Sequence, residues 1–484
     1  MTALSAIMTS AILLDGPAAV TLDAKSYWQF GESVAAGDWL LTSHAIAYRT
    51  PGYPWFIAVC QLLAGSRALL MVVALQGMLN VALVPINAWM AARLAGAGKS
   101  QWAAVATAAL TAVGVSRIYF ARAILSETLF LFLMTLHLAC VVGLVTAPAI
   151  AAPAIAAPAI AGPTIAAPAI AGPARMRWVR LAWALAAGCL LGLAILVRPI
   201  AQWLWIAHLV LLVPMICQRS APPARRWNLS LLRSLACGAG VAAIVVSPWW
   251  VRNASLFGEP FVTQFIGRNV WIVTFQDQAG AGLPLPATSE AERLRRTVEK
   301  FNASADFKNT WDVSEGLTRA GLPDDDVDRL MKTVAMQAAQ NNIGLWLERF
   351  GRRLFNFFRC VSDHPPTFAG IQDVPLGQRW WRHSNQLESI LLAIRAAPHL
   401  RANMLITAVT AVAWLSLLAT KRYRRIAIWL AAMIGYFMAV TAAIEIPAYR
   451  YRQVVEPLMA VIVGLAVAAY VSKPDPRQTG MDGE

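Results

Sequence analysis

The residues of this 484-residue chain best suited to chemistry are two carboxylates and a set of arginines at the ends of apolar runs. Asp23 follows the first run. Glu127 opens another, in "RAILSETLFLFLMTLHL" (Arg122–Leu138), with Arg117 and Arg122 just before it. Arg198 stands in "LVRPIA", Arg252 in "SPWWVRN", and Glu445, Arg450 and Arg452 in "EIPAYRYRQ". A carboxylate can take the proton of an acceptor hydroxyl. Guanidinium groups suit the complementary task of holding and neutralising a departing phosphate. Together they are what transfer from a phosphate-bearing lipid to a hydroxyl requires. A polyprenyl tail would hold the donor phosphate at headgroup level, where these residues are expected to lie.

Taken singly, each residue has a plainer reading. Arg198 or Arg252 alone is a snorkelling interfacial anchor, Glu127 beside Ser126 a carboxylate favoured by a helix N-terminus, and Tyr27 and Tyr451 belt aromatics. The functional reading rests on co-occurrence, since acids and arginines from distant segments share one membrane face.

The elements that must position them are helices in a bilayer. The chain is 58% hydrophobic and 14% charged, with a mean hydropathy of +0.54, where soluble domains average about 25% charged residues. About ten spans are expected, centred on residues 2–14, 68–92, 101–116, 124–146, 181–197, 200–217, 232–250, 402–419, 425–443 and 454–471. The net charge of +15 is concentrated in short, nearly acid-free connectors: Arg93 and Lys99; Arg175, Arg177 and Arg180; Arg219, Arg225, Arg226 and Arg233; Lys421–Arg425. The positive-inside rule places these in the cytoplasm, so the basic balance reads as topology and not as nucleic-acid binding. Asp23, Glu127, Arg198, Arg252, Arg450 and Arg452 then share the opposite face.

This weave divides the chain into an N-terminal transmembrane module (1–250), a water-exposed segment (251–400), C-terminal spans (401–472) and a cytoplasmic tail (473–484). The first outer loop, 15–67, predicts a helix from Ala24 to Gly37, a rigid turn at "RTPGYP" (Arg49–Pro54) and a second short helix. Within 251–400, "DDDVDRLMKTVAMQAAQNNIGLWLERFGRRLFNFF" has the spacing of an amphipathic helix able to lie along the membrane interface. Residues 147–174 carry a proline every fifth position and predict an extended or disordered linker. The six cysteines show no paired spacing and read as small buried hydrophobes. His44 and the pair Asp363 and His364 are the only candidates for a divalent metal.

Several stretches carry a family resemblance: "DAKSYWQFGESVAAGDW…YRTPGYPWFIA", "SRIYFARAILSETLFLFLMTL", "LAAGCLLGLAILVRPIA", "SPWWVRNASLFGEPF" and "RYRQVVEPLMAVIVG". In this order they resemble the GT-C membrane glycosyltransferases, in the branch of the protein O-mannosyltransferases and the lipid A aminoarabinose transferase. The resemblance implies an all-α polytopic fold, a polyprenyl-phosphate sugar donor, inversion at the anomeric carbon, and a bacterial inner membrane with the site facing the periplasm. By it, Asp23 matches the first-loop acid that serves as general base, and Glu127 a second acid that orients the acceptor or pocket. Arg198 stands where a basic residue contacts donor phosphate, and Arg450 and Arg452 match a late arginine motif. With Arg252 these form the expected phosphate-binding set, and Tyr27, Arg49, Tyr53 and Arg122 the expected pocket. The acceptor, whether lipid, glycan or protein, stays open. So do two other readings: a transporter or flippase of a lipid-linked sugar, and a non-catalytic assembly partner.

Overall fold

In the computed structural model, the described residues are 1–13, 17, 20, 23–151, 173–208, 222–276, 280–359, 398–445 and 449–471. Among them every regular element is helical. Five stretches are long and apolar enough to cross a membrane: Gly52–Ala95, Glu127–Ala147, Trp178–Val197, Leu232–Phe257 and Arg424–Ile444. Shorter apolar helices cover Thr2–Ala11, Met404–Ala419 and Glu456–Val471. Eight of the ten expected spans thus coincide with apolar helices. Residues 101–116 form only a 13-residue helix, Ser100–Ala112, followed by a short one, Val115–Phe120. The span expected at 200–217 is described only to His208, beginning as the 3-10 turn Pro199–Trp203.

Without a water-driven hydrophobic effect between spans, close backbone approach through small residues is what lets helices associate. The Pro173–Val197 and Pro222–Phe257 helices do this through glycine. A Cβ on Gly188 would lie within about 2.1 Å of the Gly238 carbonyl oxygen. The Glu127–Ala151 helix also packs on Pro173–Val197, and Ala68–Ala95 lies against both Glu127–Ala151 and Ser100–Ala112. Glu456–Val471 closes the bundle against Ser100–Ala112.

Outside the bundle, the helices Ile266–Phe275, Ser289–Phe301, Thr310–Arg319 and Asp324–Asn341 enclose their own apolar core around Trp271, Phe275, Leu294, Leu317 and Met331. Polar caps start two of them: Thr288 Oγ1 accepts from the Ala291 N–H at 3.3 Å, and Asn309 Oδ1 from the Trp311 N–H at 2.9 Å.

The structure corrects several expectations. The single amphipathic helix expected over 324–358 is two, Asp324–Asn341 and Ile343–Arg359, because the chain leaves helical geometry at Asn342. The second does not simply float at an interface. Its Phe357 and Arg353 are buried, and Arg353 Nε donates to the Ala442 carbonyl at 2.7 Å, docking it on Arg424–Ile444, while Ile343, Leu347 and Phe355 stay exposed. At the proline-rich segment the flanking helices reach inward, to Ala151 and from Pro173. Pro173 sits at a helix start, where its missing N–H costs nothing. The rest of the repeat, 152–172, is outside the described residues. Cys60 and Cys140 are buried as expected, but Cys189 and Cys237 are exposed on the bundle's outer surface. Cys217 and Cys360 are outside the described residues.

Candidate functional site

The site assembles where the first loop folds back on the bundle. Asp23 is the first residue of the Asp23–Ala35 helix, so its carboxylate stands at the positive end of the helix dipole. Four residues on, Tyr27 shares its face. The turn after this helix is built by Asp38, whose carboxylate accepts from the Thr42 N–H at 2.7 Å, the Thr42 hydroxyl at 2.9 Å, the Ser43 N–H at 2.9 Å and the Ser43 hydroxyl at 2.5 Å. Slight burial pushes the Asp38 carboxyl up, but these four bonds outweigh it and hold it at about 2.

The "RTPGYP" turn then lays the chain against the end of the Pro173–Val197 helix. The Thr50 hydroxyl donates to the Val197 carbonyl at 3.4 Å. Gly52 is required by proximity, since a Cβ there would sit 2.7 Å from the Leu196 carbonyl oxygen. This contact brings the Arg49–Pro54 turn against the residue that precedes Arg198. Arg198 itself is held extended by the proline that follows it (φ −144°, ψ 117°).

Two ion pairs result. Arg49 Nη2 donates to Asp23 Oδ1 at 2.6 Å and its Nη1 to the Tyr27 hydroxyl at 3.3 Å, with its guanidinium 4.8 Å from the Tyr27 ring centroid. Arg198 Nη1 meets Glu127 Oε1 at 2.7 Å, and its guanidinium lies 5.5 Å from the Tyr451 ring and 6.0 Å from that of Phe130. The pairs are adjacent, because the Tyr27 hydroxyl also meets Ser126 Oγ at 3.4 Å, one residue before Glu127. Tyr53 seals the floor, edge-on to Tyr27 at 5.0 Å and donating to Gln76 Oε1 at 3.0 Å. Gln76 Nε2 in turn donates to the carbonyls of Ala121 and Ala123, at 3.0 and 2.8 Å, fixing the turn that delivers Glu127. The accessibility is uneven: the Asp23 side chain keeps 33% of its surface and Arg198 20%, while Glu127 keeps 3%. A ligand entering from outside thus meets one carboxylate and one guanidinium, each steadied by a more buried partner.

Asp23, Tyr27, Arg49, Tyr53, Glu127 and Arg198 are therefore brought together. Arg122 lies half-buried in the turn before Glu127. Arg452 is fully buried, its Nη1 donating to the Phe358 carbonyl at 3.3 Å; the Arg450 side chain is outside the described residues. Arg252 is reassigned. Its guanidinium donates to the carbonyls of Leu40 (3.2 Å), Leu41 (2.8 Å), His44 and Ile46 (3.0 Å) and to Asn253 Oδ1 (2.7 Å). With four N–H directions taken by the first loop and the fifth by Asn253, it clamps that loop and has no donor left for a phosphate. His44 is likewise committed, its Nε2 2.8 Å from Ser33 Oγ. Among the described residues no three His, Cys, Asp or Glu converge in a way that would hold a metal; Asp363 and His364 lie outside them.

Sequence reasoning missed Gln76, Ser126, Phe130 and the support from the outer helices. Gln76, Asn80 and Asn87, all buried, share one face of a helix otherwise apolar, a spacing that could have marked Gln76. It also missed polar groups deeper in the bundle. His137 and His208 meet Nε2 to Nε2 at 2.9 Å, and Trp429 Nε1 donates to His208 Nδ1 at 3.4 Å. Arg117 pairs with Glu456 at 3.4 Å and donates to Asn80 Oδ1 at 3.0 Å, locking short helix to last span.

No protein-family model matches the sequence, and neither does any curated protein. Among solved structures, an oligosaccharyltransferase of Archaeoglobus fulgidus, crystallised with a tethered acceptor peptide, is similar over 96% of this chain with a TM-score of 0.48 and 11% identity. This chain covers 48% of that protein, about half its length. ArnT from Cupriavidus metallidurans is similar over 97% of this chain and 76% of its own in the apo state, with a TM-score of 0.37 and 16% identity. Its complex with undecaprenyl phosphate gives 96%, 76%, 0.36 and 16%.

Proposed function

We propose that this protein is a GT-C-type glycosyltransferase that moves one sugar from a polyprenyl-phosphate donor to an acceptor hydroxyl at the outer face of a bacterial inner membrane. The observation that carries the proposal is the junction of the Asp23–Arg49 and Glu127–Arg198 pairs through Tyr27 and Ser126. Asp23 takes the proton of the acceptor hydroxyl as its oxygen attacks the anomeric carbon. The new C–O bond forms on the face opposite the phosphate, so configuration inverts. The bond to the phosphate oxygen breaks, and the polyprenyl phosphate leaves with its charge held by Arg198. Arg49 positions the Asp23 carboxylate, and Glu127 keeps the Arg198 guanidinium aimed at the leaving group. Tyr451 lies against Arg198 at the same end.

The test is transfer in reconstituted vesicles carrying a polyprenyl-phosphate sugar pool and a membrane-extract acceptor. Asp23→Asn abolishes sugar transfer while donor retention, read by native mass spectrometry, stays near that of the parent. A fully active Asp23→Asn protein removes Asp23 as the base. Donor crossing the vesicle membrane with no sugar transferred by the parent protein would replace the enzyme with a flippase.

A further inference from the structure

A cavity opens at the far end of the bundle from Asp23. It has a volume of about 360 Å³ and is lined by Trp89, Arg93, Gly96, Ser100 and Thr146, among others. Thr146 lies 19 residues beyond Glu127 on one helix, hence roughly 28 Å along its axis, so the cavity belongs to the opposite membrane face. Its walls are the end of the Ala68–Ala95 helix, the Gly96–Lys99 turn and the Glu127–Ala151 helix. Arg93 is half-buried there, its guanidinium 5.4 Å from the Trp89 ring, and Trp89 lies 6.0 Å from Trp183. Among the described residues Arg93 makes no ion pair and donates no hydrogen bond.

The connectors at this face supply no anion, and the acids of the tail, Asp475, Asp482 and Glu484, are outside the described residues. The sequence has no Asp or Glu from residue 39 to 126, from 128 to 258 or from 401 to 444, the stretches that form the connectors here. Lys99 is half-buried nearby, and Arg422 donates to the Ala95 carbonyl at 2.8 Å, adding positive charge at the cavity's edge. A guanidinium set against an indole ring between spans, with only cations charged around it among the described residues, fits an anion that comes with its own apolar body.

We infer that this cavity binds the phosphate of an anionic phospholipid headgroup from the leaflet opposite the Asp23 rim. Arg93 and the Ser100 hydroxyl meet the phosphate, while Trp89 takes the glycerol and upper acyl region at interface depth. The site is independent of the proposed transfer reaction.

The purified, delipidated full chain is titrated with phosphatidylglycerol or phosphatidylcholine and read by native mass spectrometry. Phosphatidylglycerol is retained preferentially, and Arg93→Gln lowers that preference about fivefold, the effect of one basic residue at an anionic surface. Ala97→Trp, at an exposed position lining the cavity, lowers it similarly by filling the mouth. Arg233→Gln, an exposed basic residue at the start of the Leu232–Phe257 span, leaves it unchanged. Equal retention of the two lipids, a normal preference in both cavity variants, or an equal loss in Arg233→Gln would overturn the inference. Displacement of the lipid by inorganic phosphate alone would assign the cavity to free phosphate instead.

Discussion

Glu127→Gln separates the proposed arrangement from a merely structural ion pair. At 2.7 Å, and with an effective dielectric constant of about 20, the Glu127–Arg198 attraction is on the order of 6 kcal/mol before desolvation. A donor phosphate bound on the open side of Arg198 would lie roughly 6–7 Å from the Glu127 carboxylate. The repulsion there is about 2.5 kcal/mol by the same relation, close to a hundredfold in affinity. Arg198 is partly exposed, and solvent screening reduces this to roughly tenfold. Glu127→Gln keeps the shape and a hydrogen-bond acceptor while removing the charge. It is expected to bind polyprenyl phosphate about tenfold more tightly. Its transfer rate falls because Arg198 is no longer held in place and product leaves slowly. The assay is lipid-phosphate titration of the purified variant beside single-turnover transfer. Unchanged or weaker lipid-phosphate binding would refute the geometry, because it would mean the phosphate does not share Arg198 with Glu127.

Arg252→Lys is expected to loosen the first loop. An ammonium cannot reach the four carbonyls from residues 40–46, and each buried carbonyl left bare costs about 1–3 kcal/mol, so the thermal midpoint falls and transfer drops. Gly52→Ala forces the turn off the Leu196 carbonyl, at about 1–3 kcal/mol of stability, and lowers transfer with lipid-phosphate affinity by displacing Arg198. The Asp38 carboxyl is depressed to about 2 from 3.8, so its contribution is present above pH 3.8 and is lost as pH falls through the interval to about 2. Hydrogen exchange of the Thr42 and Ser43 amides over that interval should rise, and in Asp38→Ala it should be high at every pH.

The long spans were legible because a bilayer requires long, charge-free apolar runs, and the helix at Asp23 and the turn at Arg49–Pro54 were legible because proline and glycine punctuate the chain. The partnerships of single arginines were not. Arg198 and Arg252 look alike in sequence, each at the end of an apolar run, yet one guanidinium faces a carboxylate and an opening while the other is consumed by loop carbonyls. Which of the two happens depends on where residues 40–46 fold, and no periodicity encodes that. The break at Asn342 escaped for a related reason: apolar spacing continues across it, and the division is imposed by two separate surfaces, the outer core and the Arg424–Ile444 span.

The outer helices are coupled to the candidate base through Tyr48. Its ring lies 5.3 Å from the Arg49 guanidinium and 5.1 Å from that of Arg268, and it stacks on Phe265 at 5.5 Å. Arg268 is buried and pairs with Asp324 at 2.5 Å, whose other oxygen accepts from the Ala47 N–H at 2.6 Å. Asp328 completes the node by accepting from the Gly267 and Arg268 N–H groups at 2.9 Å, and burial raises its carboxyl above the usual range. Residues 47–49 are thus gripped from both sides, by Asp324 through the backbone and by Asp23 through Arg49. Displacing the Asp324–Asn341 helix moves Ala47, and Arg49 is only two residues away, holding the Asp23 carboxylate. An acceptor seated against the outer helices would therefore act on the position of the base through this strip of chain, while the Glu127–Arg198 pair, held by separate helices, would keep its geometry.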